Sequence, residues 1–226
     1  MTEKVIIFDA GALISFGMNG IVHIIRDLKK IFKGKFIITK KVKEEIIDRP
    51  ITIKRFELEA LRLKELLDDG ILEMPESLGI KEIDINKKAQ NYLDVVNSTF
   101  VAPNKSVHLI ELGEASCLAL SNMLTEKGIS NVIAIDERTT RSFIEQPDNL
   151  KSFLQSKLHI KITPKTQNYT YFQKIKMIRS AELIYVAYKK GLIKKDFMML
   201  DALLYAVKFK GCAISDEEIK QIEKLA

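Results

Sequence analysis

The chain of 226 residues is 46% hydrophobic and 29% charged, with a net charge of +6, the balance of a globular protein able to bury a large core. Its two cysteines, Cys117 and Cys212, show no CxxC spacing, which argues against a disulfide framework or a zinc ribbon and suits a reducing, cytoplasmic setting. No stretch reaches the ~18–20 apolar residues of a membrane span, the N-terminus does not read as a signal peptide, and the lysine-borne charge fits either a phosphate-bearing partner or a plain basic surface.

Val5 to Phe8 is a continuous apolar run of the kind buried in a parallel sheet. Residues 10–32 then read as helical with an interruption at "GMNG" (17–20), and "KGK" (33–35) ends the pattern. "FIIT" (36–39) predicts a second buried strand, and "KKVKEEIID" (40–48) a helix closed by Pro50. Residues 54–67 form an amphipathic helix, 71–74 a short strand and 86–99 another helix. After the polar break "APNKS" a helix is expected from about Gly113 to Lys127, followed by the buried strand "NVIAID" (131–136). Asn149 to Lys176 reads as less regular, with short strands expected at 159–163 and 174–178. Ser180 is placed as the N-cap of the next helix, and 195–209 and 216–225 as closing helices. Alternating strands and helices predict a parallel sheet covered on both faces.

Asp9 and Asp136 each close a buried strand and precede a helix. In a parallel sheet ligands bind at the carboxyl ends of the strands, so the two acids converge if their strands are neighbours. Glu45 follows "FIIT", and Glu114 opens a largely apolar helix. Four carboxylates so placed need cations, and oxygen-only ligation selects Mg²⁺ or Mn²⁺ rather than zinc. Each acid also has a plainer role: Asp9 and Asp136 as helix caps, Glu114 as a first-turn acid and Glu45 as a solvated one. Glu137 and Glu111 are further candidates. Arg138 and Arg179 are candidate phosphate contacts, or else partners of Glu137 and Glu182. In "NYTYFQKIK" (168–176), aromatics and lysines interleave, for stacking bases or for half-buried strand packing.

Other chemistries lack their residues. His23, His108 and His159 are scattered, no GxSxG, Walker or GxGxxG motif occurs, and Gly11 stands where a haloacid dehalogenase-type phosphatase needs a second Asp.

Taken together, four segments resemble the PIN-domain family, found in the ribonuclease toxins of toxin–antitoxin modules and in RNA-processing nucleases. "VIIFDAGALISF" is similar to its first motif and "FIITKKVKEEI" to its second, in which a valine three residues before the acid selects Glu45 over Glu44. "ELGEASCLALS" is similar to the third and "VIAIDERTTRSF" to the fourth, while "IRSAELIYVAYKKGLI" resembles a later helix of one prokaryotic branch. The resemblance implies a three-layer α/β/α fold with about five parallel strands, in one domain spanning 1–226. Relative to a minimal member, 51–106 and 149–172 are helical and β insertions. It also implies that Asp9, Glu45, Glu114 and Asp136 ligate Mg²⁺ or Mn²⁺ and cleave single-stranded RNA. An antitoxin protein and a second copy of the chain, through apolar positions of 54–67, are the implied protein partners. A catalytically silent module binding RNA or protein is the alternative.

Overall fold

Val5 to Phe8 carry no polar side chain, and the computed structural model, which describes residues 3–103 and 105–226, buries all four. They belong to β1 (Lys4–Phe8), which leads into α1 (Ala10–Met18) and α2 (Val22–Ile31). Gly20, at φ +69°, makes the break between these helices. After β2 (Lys35–Ile37), α3 (Lys40–Lys43) runs on as a π-helical turn, Glu44–Asp48, and a 3₁₀ turn, Pro50–Thr52. Next come α4 (Glu57–Asp68), α5 (Glu82–Asn97), β3 (Phe100–Ala102), β4 (Lys105–Ser106), α6 (Leu112–Glu126) and β5 (Ser130–Ala134). The chain closes with α7 (Arg138–Glu145), α8 (Pro147–Leu158), β6 (Thr163–Pro164), β7 (Met177–Ile178), α9 (Ser180–Lys189), α10 (Phe197–Phe209) and α11 (Asp216–Lys224).

β2, β1, β5 and β7 form one parallel sheet in that order. It has four strands where about five were expected. The segment at 71–74 contributes only a bridge from Glu73 to Ile37. The N–H groups of Ile71 and Leu72 both donate to the Leu66 carbonyl, at 2.9 Å each, closing the end of α4. Those donors are therefore lost to a strand ladder. β1 lies at the centre, in register from Lys4↔Ser130 to Phe8↔Ala134 on one side and Val5↔Lys35 to Ile7↔Ile37 on the other. Gly34 lets the chain enter β2, because a Cβ there would stand 2.2 Å from the Lys4 carbonyl oxygen.

The stretch after Asn149 is more regular than its sequence suggests. Pro147 at the first turn starts α8, a position that tolerates its missing N–H. His159 ends the helix in the left-handed conformation at φ +53°. The strands expected at 159–163 and 174–178 shrink to two residues each, β6 and β7. "NYTYFQKIK" contains a 3₁₀ turn, Thr166–Tyr171, instead of a strand.

Residues 51–106 and 149–172 pack on each other. β3 pairs antiparallel with both β4 and β6, and the Asn168 amide donates to the Val95 carbonyl and the Thr99 hydroxyl. Edge-to-face aromatic contacts join Tyr92 to Phe172 (5.0 Å) and Phe143 to Phe172 (5.3 Å), with Phe100 6.2 Å from Phe143. Within 54–67, Ala60, Leu63 and Leu66 face inward and Leu58 and Leu61 face solvent. Among the described residues no helix is long and apolar enough to cross a membrane.

Candidate carboxylate site

Asp9 sits one residue past β1, where the apolar strand gives way to α1. It takes the plainer of the two roles suggested for it. It caps α1, accepting the Gly11 N–H at 3.2 Å, and it is only 4% exposed. The cap satisfies one oxygen in part. Burial, then the neighbouring charges of Glu114 and Glu45, push its pKa from 3.8 up to about 8.

Glu114 enters from α6, which packs against β1. Its Oε2 accepts the Glu111 N–H at 2.6 Å, closing the first turn of the helix. Burial raises its proton affinity against that hydrogen bond, and Glu137 and Glu45 add to the rise. Glu45 comes from the π-helical turn, where the Arg49 N–H reaches back five residues to the Glu44 carbonyl. Such a turn re-aims side chains relative to a regular α-helix. Glu45 itself is exposed at the rim, yet its Oε2 is so close to Gly113 that a Cβ there would approach it to 2.9 Å. Burial of the carboxylate tip raises its pKa, opposed by the nearby Arg49 and aided by Glu111.

Two hydroxyls fix these approaches. Thr39 caps α3, accepting the Val42 N–H at 3.3 Å, and is hydrogen-bonded to Ser116 at 2.6 Å. Ser116 in turn donates to the Gly113 carbonyl. This buried chain links the end of β2 to the start of α6, and so the Glu45 turn to Glu114.

Asp136 goes elsewhere, and the sheet register explains why. Phe8 pairs with Ala134, so Asp9 aligns with Ile135 and not with Asp136. Side chains alternate along a strand. Asp136 therefore faces the opposite side of the sheet, and Glu137 returns to the side of Asp9. Asp136 accepts the Ser180 N–H at 2.8 Å and the Ser180 hydroxyl at 2.7 Å, which holds the start of α9. Burial raises its pKa and the two Ser180 bonds oppose this. Ser180 is thus the first residue of α9 rather than its cap. Glu137 caps α7 through the Thr140 N–H at 2.6 Å, while its charge acts on Glu114. Glu111 is exposed and pairs with His108.

Arg179 is 8% exposed and spent on its own neighbours. Nε and Nη2 donate to Glu182, and Nη1 donates to Glu218 and the Ala213 carbonyl. Arg138 is exposed and stands over the Phe153 ring, 5.2 Å from its centroid. The plainer reading therefore holds for Arg179, which pairs with Glu182, while Arg138 has no ion pair with Glu137 among the described residues. Tyr169 and Phe172 of "NYTYFQKIK" pack into the aromatic cluster, whereas Tyr171 is exposed.

Cys117 was not singled out in the sequence, although it lies one helical turn after Glu114. Its fully buried thiol is 3.8 Å from the Phe8 carbonyl and 4.0 Å from Asp9 Oδ1. Burial, then Asp9 and Glu114, hold it well above the usual thiol range, so it stays a neutral donor.

Among the described residues, no three His, Cys, Asp or Glu side chains are placed closely enough to enclose an ion as they stand. The chemistry of the set nevertheless fits a hard cation. Glu114 and Glu45 raise the proton affinity of Asp9, Glu45 also raises that of Glu114, and none of the three has a lysine or arginine ion pair among the described residues. Such a group either takes up protons or binds a cation. Compared with known proteins, the chain matches no family model, no curated protein and no solved structure.

Proposed function

We propose that the chain is a metal-dependent endoribonuclease of the PIN-domain kind, acting on single-stranded RNA. The observation that carries this reading is the approach of Glu114 and Glu45 to Asp9 at the carboxyl edge of a parallel sheet, where burial first and then these two charges push the Asp9 pKa to about 8. Mg²⁺ or Mn²⁺ would be held by these three, with Glu137 rather than Asp136 as the fourth acid. A bound divalent ion supplies Lewis acidity toward a phosphodiester and lowers the pKa of water. Asp9 is fixed by its cap and by Cys117, so the charge that the ion meets is already oriented. Glu45, at the rim, is placed to accept a proton from water entering from solvent. Asp136 and Arg179 hold the first turn of α9 and the loop before α11. An antitoxin or a second copy of the chain as partner belongs to the same proposal.

The test is cleavage of a labelled single-stranded RNA by purified protein with Mn²⁺ or Mg²⁺, compared with EDTA and with Asp9→Asn and Glu114→Gln. Cleavage that requires the ion and is lost in both variants supports the reading. Equal activity in wild type and Asp9→Asn would overturn it, and absence of cleavage alongside retained RNA binding would favour the silent module.

A further inference from the structure

The chain's basic charge is not spread evenly. Residues 147–176 contain six lysines and a single acid, Asp148, a net +5 of the whole chain's +6. Lys157, Lys161, Lys165, Lys174 and Lys176 are exposed and Lys151 is half-buried, and none joins a carboxylate among the described residues. Some lysines elsewhere are paired with a nearby acid, as in Lys41–Glu44, Lys43–Asp48 and Lys208–Asp216.

This segment flanks two connected hollows. A cavity of about 480 Å³ is lined by Arg138, by Arg141 with its partner Glu145, by Arg179 with its partner Glu218, and by Lys208, which pairs with Asp216. A smaller one of about 180 Å³ lies between α7 and α8 and shares Arg138, Ser142 and Gln146 with the first. Together they make a trough. It begins beside Glu137, the cap of α7, and beside Ala213, whose N–H donates to the Asp136 carbonyl. It ends at Phe153, which is 42% exposed and carries Arg138 at 5.2 Å and Lys157 at 5.8 Å from its ring centroid. Arg141 turns its Nη2 to Glu145 and leaves a buried Nε without a partner.

We infer that this trough is the track of a single nucleic-acid strand leaving the carboxylate site, with Phe153 as the platform on which one base stacks. The inference deepens the ribonuclease reading and rests on it for the strand being RNA. Arg138 and Lys157, which join no carboxylate among the described residues, flank the ring and can hold phosphates, and the exposed aromatic ring supplies the sequence-tolerant surface a base requires. An incoming base takes a face of the Phe153 ring, and the displaced cation moves to the adjoining phosphate. A duplex offers no free base face for that ring, and an acidic protein or an anionic membrane has no need of it.

Binding measured without cleavage separates this proposal from the nuclease reading. A labelled oligoadenylate is titrated in EDTA with wild type, Phe153→Leu, Phe153→Trp, Lys157→Gln/Lys161→Gln/Lys165→Gln and the control Lys64→Gln, whose lysine pairs with Asp68. Phe153→Leu is expected to weaken binding about tenfold while Phe153→Trp retains it. The triple lysine variant should flatten the dependence of log K on log salt by about 2, from ~0.7 per phosphate contact. Lys64→Gln should bind as wild type does. These results together with no cleavage would leave the track standing and remove the nuclease. Phe153→Leu binding as tightly as wild type would overturn the track, as would equal binding of a duplex or full competition by phosphatidylserine vesicles.

Discussion

Replacing Asp9 by Asn removes a buried charge while keeping the side chain's size and its acceptor for the Gly11 N–H. In the folded chain the Asp9 pKa is raised from 3.8 to about 8, by burial first and then by Glu114 and Glu45. Between those values the folded state binds a proton that the unfolded state has released, so stability falls as pH rises through that window. At about 1.4 kcal/mol per pKa unit, the loss between pH 5 and pH 8 is on the order of 4 kcal/mol for this group alone. Asp9→Asn abolishes that contribution. Urea unfolding of metal-free protein at pH 5 and pH 8 measures it directly. Wild type should lose several kcal/mol across the interval, and the variant much less. Excess Mn²⁺ at pH 8 should stabilise wild type and leave Asp9→Asn nearly unchanged. The same pH slope in both proteins would refute the reasoning, because the uncompensated charge would then not be at Asp9.

Further predictions follow from particular contacts. Gly113→Ala should displace the Glu45 carboxylate, since its Cβ would meet Oε2 at 2.9 Å; the expected result is reduced Mn²⁺ affinity and cleavage with a nearly unchanged melting temperature. Asp136→Asn should cost about 1–3 kcal/mol of stability through its bonds to Ser180, while Mn²⁺ affinity by titration calorimetry stays near wild type; a complete loss of metal binding would restore Asp136 to the ligand set. Gly34→Ala should destabilise the chain by roughly 1–3 kcal/mol or more, because its Cβ meets the Lys4 carbonyl oxygen at 2.2 Å, and thermal unfolding reads this out.

The sheet and the acids were legible in the sequence to different depths. Buried runs such as "VIIF" and "NVIAID" announce strands because both faces of a parallel sheet are covered. The positions of Asp9, Glu45 and Glu114 followed from the strand ends and helix starts. The side on which each acid emerges did not, because it depends on inter-strand register: Phe8 opposite Ala134 rather than Ile135 exchanges Asp136 for Glu137. The strand expected at 71–74 failed for a local reason, the capture of the Ile71 and Leu72 donors by Leu66. α8 escaped notice because its buried face is thin, just Leu150 and Leu154 of twelve residues. Arg179 looked like a free cation until tertiary contacts brought Glu218 from 39 residues away.

The central claim is that Asp9, Glu45 and Glu114 form a divalent-cation site. Crystals soaked in Mn²⁺ and measured at the manganese edge test it most directly. The account predicts an anomalous peak bounded by these three carboxylates, absent from Asp9→Asn crystals. Bare carboxylates at an Mn²⁺ concentration that supports cleavage, or a peak bound to Asp136 instead, would contradict it.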